Sequence, residues 1–231
     1  MKPVLLLIPG MLNDASVWDD VLPCLPNGWT VRIANVQTQQ SIAEMARDAW
    51  LMLEDIPLNA PVMVAGFSLG GYVAIEMLAQ QPRPLSAAAL LSTSPLPESE
   101  ESRAVREKTM LAMQANFPKV VEGIVKFGTH EASEAVQERL RQMLLSVGCE
   151  TALRQTRAIM GRSDHREALS RLRLPVALLC GEHDRVTPPQ LTHQLAQCIP
   201  HAQTCIIPQS GHMLPVQQAP AVAHVLASLL S

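Results

Sequence analysis

Six short apolar runs set the strongest limit on how this 231-residue chain can fold. They lie at 3–8 (PVLLLI), 29–34 (WTVRIA), 61–66 (PVMVAG), 86–92 (SAAALLS), 174–180 (LPVALLC) and 203–207 (QTCII). Each is nearly continuous in apolar residues and does not alternate with polar ones. A strand reads this way when both faces of its sheet are covered by helices. The intervening segments supply such helices. Residues 41–54 place Ile42, Met45, Ala49, Met52 and Leu53 on one face, and residues 69–80 stay apolar until Pro82 stops them. Strand–helix alternation of this kind predicts an α/β fold, a doubly wound and mostly parallel sheet of about six strands.

One segment breaks the rhythm. Between 95 and 172 no strand is legible. It opens with Pro95, Pro97 and the acidic residues Glu98, Glu100 and Glu101, and continues as helical pieces near 100–116, 118–127, 131–146 and 149–160. Leu140, Leu144 and Leu145 share an apolar face in the third piece. A crossover between parallel strands needs only about a dozen residues or slightly more. The expected organisation is therefore a core of residues 1–94 and 173–231, with 95–172 inserted as a helical lid over the carboxyl edge of the sheet. Ordinary crossover helices are the alternative.

The run 61–66 leads directly into Gly66-Phe67-Ser68-Leu69-Gly70-Gly71 and then into a helix. At this composition the pattern Gly-x-Ser-x-Gly arises by chance only about 0.03 times in the chain. A serine on a tight strand-to-helix turn is held in a strained backbone conformation with its hydroxyl above the sheet. The positions two before and two after are squeezed together, and Gly66 and Gly70 supply the room. Ser68 is the candidate nucleophile.

A serine hydroxyl needs a histidine base, and the histidine needs a carboxylate to fix its tautomer. On this kind of sheet the order along the chain is serine, acid, histidine. Of seven histidines, His212 stands a short loop after the last strand, in Gly211-His212-Met213-Leu214-Pro215. Asp184 follows the fifth run in Gly181-Glu182-His183-Asp184-Arg185, at the edge where open α/β sheets bind ligands. Glu182 is its rival. The catalytic candidates are Ser68, Asp184 and His212.

Acyl transfer builds negative charge on a carbonyl oxygen, and backbone N–H groups must already point at it. One donor should be Leu69, the residue after the nucleophile. The other should come from the loop after the first strand, Pro9-Gly10-Met11-Leu12, with Met11 preferred and Leu12 second. Phe67, Met213 and Leu214 flank the catalytic positions and are candidate pocket residues.

Composition narrows the partners. The chain is 48% hydrophobic and 17% charged, with net charge −3. No basic stripe suggests nucleic acid, and no basic amphipathic helix suggests a membrane surface. The apolar start is cut by Pro9-Gly10, short of a signal-peptide core, and no run reaches the ~20 residues of a membrane span. Five cysteines at spacings that match no zinc pattern read as free, reduced thiols, with Cys180 and Cys205 in buried strands. A cytoplasmic enzyme without metal or cofactor is expected.

Together, Pro9-Gly10-Met11, Gly66-Phe67-Ser68-Leu69-Gly70-Gly71, Gly181-Glu182-His183-Asp184 and Ser210-Gly211-His212 resemble the α/β-hydrolase superfamily over nearly the whole chain. The compact build is most similar to small bacterial carboxylesterases, including pimeloyl-carrier-protein methyl ester esterases. The resemblance implies a serine hydrolase acting on a small-molecule ester or thioester through an acyl-enzyme. Many relatives carry His-Gly where this chain has Pro9-Gly10, which alters the support of the oxyanion loop but leaves its backbone donor. Two readings stay beside it: carbon–carbon lyase or other non-hydrolytic chemistry on the same triad, and a non-catalytic ligand-binding protein.

Overall fold

Successive side chains of β1 (Val4–Ile8) point to opposite faces of a sheet, and all five are buried. Val4, Leu6 and Ile8 join the core on one face, and Leu5 and Leu7 join the core on the other. This double burial is why the run carries no polar alternation. The computed structural model describes residues 1–230. Its other strands are β2 (Thr30–Ile33), β3 (Val62–Phe67), β4 (Ala87–Leu91), β5 (Val176–Gly181) and β6 (Gln203–Ile207). They form one parallel sheet in the order β2-β1-β3-β4-β5-β6. The six strands and their sequence positions match the expected α/β fold. Cys205 is a correction. It lies on edge strand β6 and is only half-buried, whereas Cys180 on β5 is fully buried.

The helices are α1 (Ile42–Leu51), α2 (Leu69–Gln80), α3 (Glu100–Gly128), α4 (Glu134–Val147), α5 (Cys149–Met160), α6 (Arg166–Ser170), α7 (Pro189–Cys198), α8 (Leu214–Gln217) and α9 (Ala219–Ser228). The α1 start is fixed by Ser41, whose side chain accepts from the Glu44 N–H at 3.1 Å. Met45, Ala46, Ala49 and Trp50 then face the sheet. Most of α2 is buried, because it packs beneath β1, β3 and β4 at the centre of the molecule.

All of α3 to α6 falls between the adjacent strands β4 and β5. The two pieces expected at 100–116 and 118–127 form one kinked helix. Pro118 has no N–H to donate and its ring crowds the preceding turn. The backbone leaves helical geometry at Asn116 (φ −158°, ψ 82°), and the Asn116 side chain caps the second half by accepting from the Lys119 N–H at 3.1 Å. Among the described residues, no helix is long and apolar enough to cross a membrane.

Candidate active site

Ser68 sits between β3 and α2 at φ 53°, ψ −112°, a conformation that L-residues rarely adopt. The surrounding backbone enforces it. The Ser68 N–H donates to the Leu91 carbonyl at 2.8 Å, and its own carbonyl accepts from the Gly71 N–H at 2.9 Å and the Thr93 hydroxyl at 3.0 Å. A Cβ on Gly66 would overlap the Gly70 backbone, and one on Gly70 would overlap the Ile8 and Pro9 carbonyls. Glycine is required at both because two backbones touch there.

His212 and Asp184 reach the same edge from separate loops. His212 Nε2 lies 2.9 Å from Ser68 Oγ. His212 Nδ1 lies 2.9 and 3.1 Å from the two Asp184 carboxylate oxygens. Asp184 is only 3% exposed. Its carboxylate also accepts from the Val186 N–H at 2.9 Å, the Thr187 N–H at 2.8 Å and the Thr187 hydroxyl at 2.9 Å. Burial pushes the Asp184 carboxyl up, but His212 and the two Thr187 donors outweigh it and hold the group below the usual carboxylate range. The acid is thus ionised, while the same burial and the Asp184 charge push the Cys180 thiol beneath it up to about 12. Glu182 is placed elsewhere: it is exposed and faces His183 at 3.6 Å. Thr187 is a residue that sequence reading overlooked. Its only signal was its place three residues after the acid.

The loop after β1, the expected oxyanion loop, is held by α5. Leu12, at φ 60°, donates its N–H to Gln155 Oε1 at 2.9 Å, and Gln155 Nε2 donates to the Val36 carbonyl at 2.9 Å. Gln155 is wholly buried on α5. The Leu12 N–H is therefore occupied. The N–H groups of Met11 and Leu69 have no protein acceptor among the described residues. The structure thus favours Met11 over Leu12 as the free donor. Gln155 gave no sequence signal beyond a polar residue on the apolar face of a helix.

A cavity of about 450 Å³ opens over Ser68. Met11, Phe67, Ser68, His212 and Met213 line it, with Ile124, Phe127 and Leu144 from the insertion. The Phe67 ring lies 5.2 Å from the His212 ring, centre to centre, tilted by 43°. Leu214 is a correction among the expected pocket residues. It opens α8 and is wholly buried in the core, off the cavity wall, because the helical turn carries its side chain inward. One corner of the cavity is charged. Arg106 and Arg162 line it, and both pair with Glu98, whose side chain is 2% exposed. Burial pushes Glu98 up, yet the two guanidiniums keep its carboxyl below the usual range. On the far side of Asp184, His130 and His183 stack with ring centres 3.7 Å apart in a separate polar hollow.

Residues 35–218 match the family described as serine aminopeptidase, S33. The match includes Ser68, Asp184 and His212 and starts after the Met11 loop. A pimeloyl-[acyl-carrier protein] methyl ester esterase of Neisseria meningitidis is 25% identical over 96% of this chain and 72% of its own length. A protein with the same description from Chromobacterium violaceum is 28% identical over 75% of this chain and 68% of its own. Among solved structures, a thermophilic esterase from Thermogutta terrifontis superposes over 100% of this chain and 89% of its own, with TM-score 0.87 and 24% identity. The bromoperoxidase of Bacillus anthracis gives TM-score 0.87 over 100% of this chain and 92% of its own, at 17% identity. The chain belongs to the serine aminopeptidase S33 family and is a hydrolase of the α/β-hydrolase superfamily.

Proposed function

We propose that the protein is a carboxylesterase that cleaves a small ester or thioester through Ser68, His212 and Asp184. The continuous hydrogen-bonded line from Ser68 Oγ through the His212 ring to the buried Asp184 carboxylate carries this reading. His212 Nε2 takes the Ser68 proton as Oγ attacks the substrate carbonyl. The Met11 and Leu69 N–H groups receive the oxyanion. His212 then gives its proton to the departing alcohol or thiol, leaving an acyl-serine. Water enters, loses a proton to His212 and attacks the acyl carbonyl; His212 returns that proton to Ser68 Oγ as the bond to the acyl group breaks and the acid departs. Asp184 stays ionised throughout, orienting the ring and stabilising the imidazolium. The named substrates of the N. meningitidis and C. violaceum relatives agree with an ester of this type.

Residues 95–172 act in this reading as a lid on a core of 1–94 and 173–231, since α3, α4 and α5 supply much of the cavity wall. The site is one for a small molecule, with no role for nucleic acid or a membrane. The five free thiols suit the reducing cytoplasm, where we place the protein. None of the four lysines lines the cavity, which weighs against lyase chemistry that draws on a pocket lysine.

Turnover separates an esterase from a binding protein on the same fold. Purified protein should hydrolyse short p-nitrophenyl esters, and a fluorophosphonate probe should label Ser68. Ser68→Ala should lower kcat/KM by ~10⁶-fold, the scale for removing the nucleophile of a coupled triad. An unlabelled serine and no ester turnover would overturn the proposal.

A further inference from the structure

The charged corner of the cavity is not used by the acyl-transfer steps. Two guanidiniums, Arg106 and Arg162, share the single Glu98 carboxylate, so the cluster keeps a net charge of +1 by direct count. No Asp, Glu or Lys side chain lines the cavity to balance it among the described residues. The two arginines differ in what they have left to give. Arg162 donates to the Leu96 carbonyl at 3.0 Å, to the Ile159 carbonyl at 2.8 Å and to Glu98. Its guanidinium also lies 4.7 Å from the centre of the Tyr72 ring. Of its guanidinium nitrogens only Nη2 has no acceptor among the described residues.

Arg106 has more left. Its Nε holds the Glu98 oxygens at 3.0 and 3.3 Å. Its two Nη groups have no acceptor among the described residues, and the side chain keeps 29% exposure at the cavity wall. Ser102, four residues earlier on α3, and Ser99 at the helix start line the same corner. The lining also has an apolar part that includes Ile124, Phe127 and Leu191. A guanidinium that has lost part of its water and keeps a free edge favours a planar anion, which it can bind through two parallel N–H bonds.

We propose that Arg106 is a specificity-determining residue that anchors a carboxylate on the substrate, so that the preferred esters carry an acyl chain ending in a negative charge. This rests on the esterase reading. The ester lies at Ser68, the methylene chain runs along the apolar wall, and the far carboxylate meets the Arg106 fork. Arg162 and Glu98 hold that fork in place.

The test compares mono-p-nitrophenyl esters of glutaric, adipic and suberic acids with neutral p-nitrophenyl esters of the same chain lengths. The wild-type protein should favour the best carboxylate ester by about tenfold or more in kcat/KM, the scale of one charge-assisted bidentate contact. In Arg106→Gln that preference should vanish, and Arg106→Lys should keep part of it as a point charge without the fork. The readout is the ratio between matched substrates, so any loss common to both cancels. A wild-type preference for neutral esters would overturn the inference. So would a ratio that Arg106→Gln leaves unchanged, since a purely structural arginine lowers both substrates together. Titration calorimetry with adipate and its diamide gives a readout free of turnover. Adipate should bind wild type more tightly than the diamide and lose that advantage in Arg106→Gln. If no ester is cleaved and Ser68 is not labelled, the esterase reading fails, and the adipate titration still decides the anion site.

Discussion

The loops that present Ser68 and His212 do similar jobs by different means. The Ser68 turn is held almost wholly by nearby backbone: the Leu91 carbonyl, the Gly71 N–H and the close approach of Gly66 to Gly70. The His212 loop is held by the Gln217 side chain and by a segment far away in sequence. The Gly211 N–H donates to Gln217 Oε1 at 3.0 Å, and Gln217 Nε2 donates to the His130 carbonyl at 2.6 Å. The Met213 N–H donates to the Gly128 carbonyl at 3.0 Å, at the end of α3. Ser68 is thus locked to the sheet, while His212 is tied to the end of α3. A shift of the insertion would be felt at His212 before Ser68.

The largest effect expected on the histidine side is chemical. Asp184→Asn should keep the fold and lower kcat by ~10⁴-fold, because the amide favours the wrong imidazole tautomer. Steady-state kinetics on any cleaved ester checks this. A rate within tenfold of wild type would move the acid role away from Asp184.

On the serine side the largest effect is on stability. Gly70→Ala forces a methyl into the Ile8 and Pro9 carbonyls, and neither is the end of a flexible side chain. It should cost about 3 kcal/mol or more, read as a drop in Tm or in the denaturant midpoint. A variant of normal stability would mean that the elbow has more freedom than its contacts suggest.

Gln217→Ala gives the smaller effect that separates the two loops. It removes the local tie to Gly211 and two long-range ties to His130 but touches nothing at Ser68. It should cost about 1 to 2 kcal/mol in stability and lower kcat by about tenfold. Fluorophosphonate labelling should slow with kcat, since that reaction also needs His212. An equal loss of elbow and histidine geometry, seen in crystals of the variant, would erase the contrast.

The legibility of the molecule follows the same division. The strands could be read because double burial leaves unbroken apolar runs, as β1 and β5 show. The Ser68 turn could be read because the Gly66–Gly70 contact falls within five residues and demands glycine at fixed spacing, although Leu91, Thr93, Ile8 and Pro9 complete it from afar. Asp184 and His212 could be placed by order along the chain, although their contact spans 28 residues. Thr187 and Gln155 could not be read. Gln155 acts on Leu12 and Val36, more than a hundred residues away, while Thr187 reaches back only three residues to Asp184, and in sequence each looks like any glutamine or threonine. Leu214 failed for a related reason: sequence proximity to His212 says nothing about which way a helical turn points a side chain.

The sequence by itself determined the parallel sheet and the strained turn at Ser68 and pointed to His212, with Asp184 or Glu182, as its partners, because burial and backbone sterics leave a pattern. Tertiary structure alone decided that the Leu12 N–H is occupied and the Met11 N–H is not, what fixes the His212 loop, and that two arginines share Glu98 at the cavity wall. Those outcomes depend on pairing polar groups across long stretches of chain, and a pairing energy exists only once both partners occupy the same place.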